Sequence, residues 1–239
     1  MLKKIGRFIL RCIIAFFILS IGSVIVFRWL PVPVTPLMLI RCVQQGMGGK
    51  PVRIHKTWEP LDKISPHLQL AVVCSEDQNF ISHTGFDIKA IQEDIEYNKT
   101  HKDKRGASTI SQQTAKNVFL WPSRSFIRKG FEVYFTFLIE TFWSKERIME
   151  VYLNVIEMGD GIYGAEAASQ AYYKKHAKDL NPNQAAAIAS ILPGPLLYKI
   201  SSPPYYVVAR QHWIIVQMAN FGGVLNYKNK EEESKSTKK

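Results

Sequence analysis

The chain has 239 residues, of which 46% are apolar and 21% charged, which excludes wholesale disorder and leaves room for one or two packed domains. Its 14 glycines and 12 prolines are too few for a fibrous or low-complexity chain. Lysine and arginine number 31 against 20 acids, a net charge of +11, so the partners to expect are anionic: a membrane surface, a phosphate-bearing substrate or nucleic acid. The 3 cysteines are too few for a disulfide framework, and the lack of a CxxC pair argues against a thiolate zinc site. Cys12 lies in an apolar run, and whether Cys42 and Cys74 pair is left open.

Residues 13–27 read IIAFFILSIGSVIVF without a charge, and Trp29 and Leu30 extend the run past Arg28. Roughly 18–20 such residues span a bilayer as a helix. Lys3, Lys4, Arg7 and Arg11 precede the run, which places residues 1–11 on the cytoplasmic side and the rest of the chain outside. A cleaved signal peptide is the alternative. No A-x-A site follows, however, and Val24, Ile25, Val26 and Phe27 are too bulky for one, so residues 12–30 read as an uncleaved anchor.

Pro31, Pro33 and Pro36 give a stiff exit, and residues 31–59 read as a membrane-proximal segment with a loop at Gly46, Gly48 and Gly49. From 60 to 225 the pattern is helical. Ser65-Pro66 starts a first helix, with Leu68, Ala71, Val72 and Ser75 at helical spacing. Others are expected over about 125–142, from Ser144 with Ile148, Val151, Tyr152 and Val155 on one face, over 183–189 before Pro193, and over about 207–220. Alternating strand patterns are scarce, so the fold class is mostly α. The tail, residues 226–239, is charged and expected to be disordered.

Four stretches carry chemistry. The first holds Glu76, Asp77, Phe80, His83, Gly85 and Asp87: two acids at the end of an apolar helix. A carboxylate held there, partly out of water, can take a proton from a hydroxyl; solvated acids capping a loop would look the same. The second runs from Gly106 through Ser108, Thr109, Gln112 and Gln113 to Lys116 and Asn117. It offers many donors to phosphate and sugar oxygens, and it also fits a capped helix with Ser108 or Thr109 as N-cap and Gln112 closing a capping box. It is not a P-loop, since G-x-x-x-x-G-K-[ST] is absent. The third holds Arg124, Arg128, Lys129 and Glu132. Helical spacing puts two cations beside one acid, either a surface ion pair or a clamp on a diphosphate leaving group. The fourth, 145–164, reads as packing, with Tyr152 and Asn154 as buttresses.

In this order and spacing, the stretches resemble the peptidoglycan glycosyltransferases. Their pattern Glu-Asp-x-x-Phe-x-x-His-x-Gly-Phe-Asp is matched from Glu76 to Asp87, Gly-x-Ser-Thr-Ile-x-Gln-Gln-x-x-Lys-Asn from Gly106 to Asn117, and Arg-Lys-x-x-Glu from Arg128 to Glu132. Similarity continues through Tyr152-Leu153-Asn154, Tyr163-Gly164 and 185–195, with Ala107 standing where many members have glycine. No Lys-Thr-Gly occurs, so the resemblance is to the monofunctional members that lack a transpeptidase domain.

The resemblance implies a lysozyme-like helical fold with a large lobe and a smaller membrane-apposed one, the latter drawing on residues near 88–104 and the exit segment. It implies that lipid II and the nascent glycan strand are substrates, joined by β-1,4 links with inversion and release of undecaprenyl diphosphate. Glu76 would be the general base, with Asp77, Phe80 and His83 supporting it. Glu132 would assist at the diphosphate, with a divalent cation, magnesium or manganese, left open as a cofactor and no protein metal ligand assigned. Lys116, Arg124, Arg128 and Lys129 would stabilise the diphosphate, and Ser108, Thr109, Gln112, Gln113 and Asn117 would line the cleft. Partners would be the bilayer of the cell inner membrane and other wall-synthesis and division proteins, with the catalytic domain in the periplasm and no nucleic acid. Two rivals are a glycan-cleaving enzyme, which needs no cation cluster because its leaving group is a sugar, and a non-catalytic anchored scaffold.

Overall fold

A computed structural model describes residues 2–49, 51–101, 103, 106, 108–123 and 125–227. Arg124, Ala107 and tail residues 228–239, all weighed above, lie outside the described residues. The molecule is mostly helical, as its sequence predicts.

Helix α1 (Leu2–Phe27) holds an 18-residue window of mean hydropathy 2.6 and is long and apolar enough to cross a membrane. Its last turns are tied to the body along α6 (Phe126–Phe142). Phe16 and Phe17 pack on Tyr134 with ring centroids 5.6 and 5.9 Å apart, and the Ser20 and Tyr134 hydroxyls are hydrogen-bonded at 2.8 Å. The Trp143 indole N–H donates to the Val24 carbonyl at 2.8 Å. Arg147 donates to the carbonyls of Phe27 and Leu30, occupying acceptors that a helix end leaves unpaired.

The segment before residue 60 is more ordered than its sequence suggests. Thr35 caps α2 (Pro36–Met47), with Pro36 in the first turn, where its missing N–H costs nothing. Downstream, β1 (His55–Lys56) pairs parallel with β3 (Ile162–Tyr163), and β2 (Glu157–Gly159) pairs antiparallel with β3. These strands are too short to show a period-two pattern.

Helix α3 (Pro66–Glu76), capped by Ser65, is the centre of the body. Seven consecutive residues, Leu68–Cys74, are buried, because α9 (Pro182–Ile191) and α10 (Tyr205–Asn220) pack against it. A second group sets α5 (Ile110–Phe119) against α6 and α7 (Lys145–Val155). Between them in sequence lie α4 (Ile88–Thr100), capped by Asp87 and not predicted as a helix, and α8 (Ala165–Tyr173). The helix from Ser144 ends at Val155, and Gly159 falls in β2. Cys42 and Cys74 are free thiols.

Gly164 opens α8 at φ +83°, and a Cβ there would meet Asn154 and Leu153 backbone atoms at 2.9–3.0 Å. Neither contact can relax by a rotamer change. Gly164→Ala is expected to lower stability by about 2–4 kcal/mol in denaturant titration; an unchanged midpoint would contradict this packing.

Candidate active site

The first chemical stretch is organised around one buried carboxylate. α3 ends at Glu76, and Asp77 turns back beneath it at φ −164°. Asp77 accepts the backbone N–H of Ile110, the first residue of α5, at 2.9 Å. Negative charge at a helix N-terminus is stabilised by the aligned peptide dipoles. Asp77 also accepts from His83 Nε2 at 2.9 and 3.0 Å. The Gly85 N–H donates to His83 Nδ1 at 3.0 Å, which leaves the ring proton on Nε2, facing Asp77. Thr109 Oγ1 donates to the Gly85 carbonyl at 2.7 Å and closes the loop onto α5. Phe80 is fully buried beneath this loop, with the Lys145 ammonium 4.7 Å from its ring centre, so it supports the cleft floor and does not line it.

Thr109 is the N-cap of α5, and Gln112 completes the capping box by accepting the Thr109 N–H at 3.0 Å. Gln112 is buried and spent on that cap, away from the cleft it was expected to line. One residue on, Gln113 faces outward. Its amide N–H donates to Glu76 Oε2 at 3.0 Å, and its carbonyl accepts the Tyr152 hydroxyl at 3.4 Å. Burial, reinforced by the charges of Glu76 and Asp77, holds the Tyr152 phenol well above its ordinary pKa, so it stays protonated as a donor. Asn117 Nδ2 donates to the Gln113 backbone carbonyl at 2.8 Å. Gln113 is thus fixed at both ends and orients the Glu76 carboxylate.

On α6, Arg128 and Lys129 pair with the two oxygens of Glu132, whose side chain is 3% exposed. The Lys116 ammonium on α5 has no hydrogen bond or ion pair among the described residues. Burial pushes its ammonium below the ordinary lysine value, against the upward pull of Glu132, while Arg128 and Lys129 push the same way as burial.

Two adjoining hollows result. The first, about 1060 Å³, is lined by Glu76, Asp77, Ser108, Thr109 and Gln113, and across from them by Arg210 and Trp213 of α10. The second, about 690 Å³, is lined by Gln113, Lys116, Asn117 and Arg128, with Arg41 of α2 and Glu157 beside β3. Gln113 belongs to both. The carboxylate and the cations therefore meet on one groove with an acidic end and a basic end.

Comparisons with known proteins agree with this geometry. A family model described as Transglycosylase matches residues 45–219. The chain belongs to that family. The biosynthetic peptidoglycan transglycosylase of Bdellovibrio bacteriovorus is 56% identical over 91% of this chain and 87% of its own length. Its counterpart in Bacteroides thetaiotaomicron is 56% identical over 90% and 86%. That of Pseudomonas putida is 48% identical over 93% and 94%.

Two side chains of this transglycosylase site escape sequence reasoning. Arg210 Nη2 donates to the Ser75 carbonyl at 2.9 Å and lies 3.4 Å from Glu76 Oε1, reaching the acid across 134 residues of sequence. Arg41 comes from the membrane-proximal segment, to which the sequence reading assigns no site residue. As for a metal, no group of three or more His, Cys, Asp and Glu side chains among the described residues is placed to hold one, and both Glu132 oxygens are on cations.

The lowered Lys116 value is directly measurable. In a side-chain nitrogen NMR titration of the free protein, Lys116 is expected to deprotonate below an ordinary lysine. Glu132→Gln should lower it further, because the carboxylate that favours the charged form is lost. A Lys116 titration at the ordinary value in both proteins would contradict the burial and pairing described.

Proposed function

We propose that this chain polymerises peptidoglycan glycan strands. It transfers the growing chain from undecaprenyl diphosphate to the 4-hydroxyl of lipid II, with inversion at the anomeric carbon. The observation that carries the reading is the Gln113 bridge, which puts a held carboxylate and a basic hollow side by side. That is the requirement of a reaction in which one oxygen loses a proton while a diphosphate departs.

In this reading Glu76 is the general base. It takes the proton from the acceptor hydroxyl as that oxygen bonds to the donor sugar's anomeric carbon, and the bond from that carbon to the diphosphate oxygen breaks. Gln113, Ser75 and Arg210 hold Glu76 in the orientation to receive it. Lys116, Arg128 and Lys129 offset the negative charge that grows on the diphosphate; their positions are set beforehand, so little reorganisation is needed at the moment of reaction. Glu132 acts through Arg128 and Lys129 and is here a positioning residue. Ser108 and Asn117 line the sugar and diphosphate ends of the groove.

The setting is the inner membrane, with α1 spanning it and the body in the periplasm. The outward side of α6 suits a place against the bilayer surface: Phe126, Ile127, Val133 and Phe137 are exposed on the helix that packs on α1. A half-buried lysine and paired arginines in the cleft favour a diphosphate leaving group over the sugar leaving group of a glycan-cleaving enzyme.

Glu76→Gln keeps the size and the hydrogen bond to the Gln113 region but cannot accept a proton. Polymerisation of lipid II is expected to fall by about 10²–10⁴-fold, with the thermal midpoint retained. Unaltered glycan output from a folded Glu76→Gln protein would remove Glu76 from the chemistry and favour a scaffold.

A further inference from the structure

The basic hollow has a wall that the family match barely reaches: the matched region starts at residue 45, near the end of α2. We propose that Arg41, on that helix, is a further residue binding the lipid-linked diphosphate. The inference rests on the reading of this hollow as the diphosphate site.

Arg41 shares the hollow with Lys116 and Arg128. It is held there in the same manner as Arg128, by a buried acid. Its Nε and Nη2 donate to the two oxygens of Glu157 at 3.0 and 3.1 Å, and Nη1 donates to Gln44 Oε1 at 3.0 Å. Glu157 is itself fixed: its side chain is 8% exposed and it accepts the Tyr163 hydroxyl at 3.2 Å. A guanidinium has five N–H donors in a planar fork. Three are used, so two remain without a partner among the described residues, on a group that is 31% exposed and faces the hollow. Fixed planar donors of this kind suit phosphate oxygens.

A purely structural tie between α2 and β2 would need the Glu157 fork but not a place on the hollow's lining. The position also suits a lipid-linked substrate. α2 starts a few residues after the anchor helix ends, so the chain itself keeps Arg41 near the bilayer surface, where a membrane-tethered diphosphate must lie. Lys116 and Arg128 approach from α5 and α6, and Arg41 supplies a cation from a third helix.

The test uses the full chain in detergent with lipid II, comparing Arg41→Ala, Arg41→Gln and Arg41→Lys. KM, kcat, inhibition by inorganic diphosphate and the thermal midpoint are measured on each. Arg41→Ala is expected to raise KM and the half-inhibitory diphosphate concentration by roughly tenfold, as for one lost charge-assisted hydrogen-bond site. Arg41→Lys should recover part of both, with a midpoint nearer the parent's than that of Arg41→Ala, which leaves Glu157 buried without its cation. If Arg41→Ala does not fold, Arg41→Gln carries the same expectation. A lowered midpoint with KM and diphosphate inhibition at the parent's values would overturn the proposal and leave Arg41 a structural tie. Lys116→Ala is run alongside. If it weakens diphosphate inhibition while the Arg41 variants do not, only the role of Arg41 falls. If none of these variants alters it, the reading of the hollow falls as well.

Discussion

The Asp77 carboxylate is the fixed point from which the cleft is built. It sits at the end of one buried helix and accepts the first backbone N–H of another, so α3 and α5 cannot move independently at their junction. His83 and Gly85 complete the arrangement and set the ring proton. From that junction the rest follows along α5 at helical intervals. Thr109 and Gln112 are used up in the cap, Gln113 reaches Glu76, and Lys116, one turn on, enters the basic end. Truncating a buried acid with several donors would leave them unsatisfied, at a cost of about 1–3 kcal/mol per group. The first motif's second acid is therefore structural in its contacts, and the first acid, Glu76, lines the hollow it shares with Arg210.

The electrostatics show a division of labour among carboxylates. Glu132, Glu140 and Glu157 are each bound to cations: Arg128 and Lys129, Lys145, and Arg41. Glu132 and Glu157 are themselves buried, so each would be left an uncompensated charge without its cation. Glu76 is different. It is 12% exposed, with Arg210 at the longer distance of 3.4 Å, and its other contacts are to a hydroxyl and an amide. A proton acceptor needs to be oriented without being neutralised, and that is the arrangement found.

Much of this was legible in the sequence because helix starts have local chemical causes. Ser65-Pro66, Thr109 with Gln112, Ser125, Ser144 and Asn181 with Gln184 each cap a helix. The same signal at Thr35-Pro36 announces α2, but the glycines after it draw attention to a loop. The two- and three-residue strands carry no periodicity to read. Arg210 and Arg41 lie on faces with no motif, and only tertiary packing brings them to the cleft. Phe80 and Gln112 fall within recognised patterns, yet one is core and the other a cap. A motif names residues that the fold needs together and does not separate those touching substrate from those supporting them.

The most direct test of the central claim is a structure of the full chain with a non-reacting lipid-linked diphosphate donor and an acceptor sugar. The account predicts diphosphate oxygens within hydrogen-bond distance of Lys116 and Arg128, and the acceptor 4-hydroxyl beside Glu76, with Gln113 between the two ends. A diphosphate bound away from Lys116, or an acceptor hydroxyl out of reach of Glu76, would contradict it.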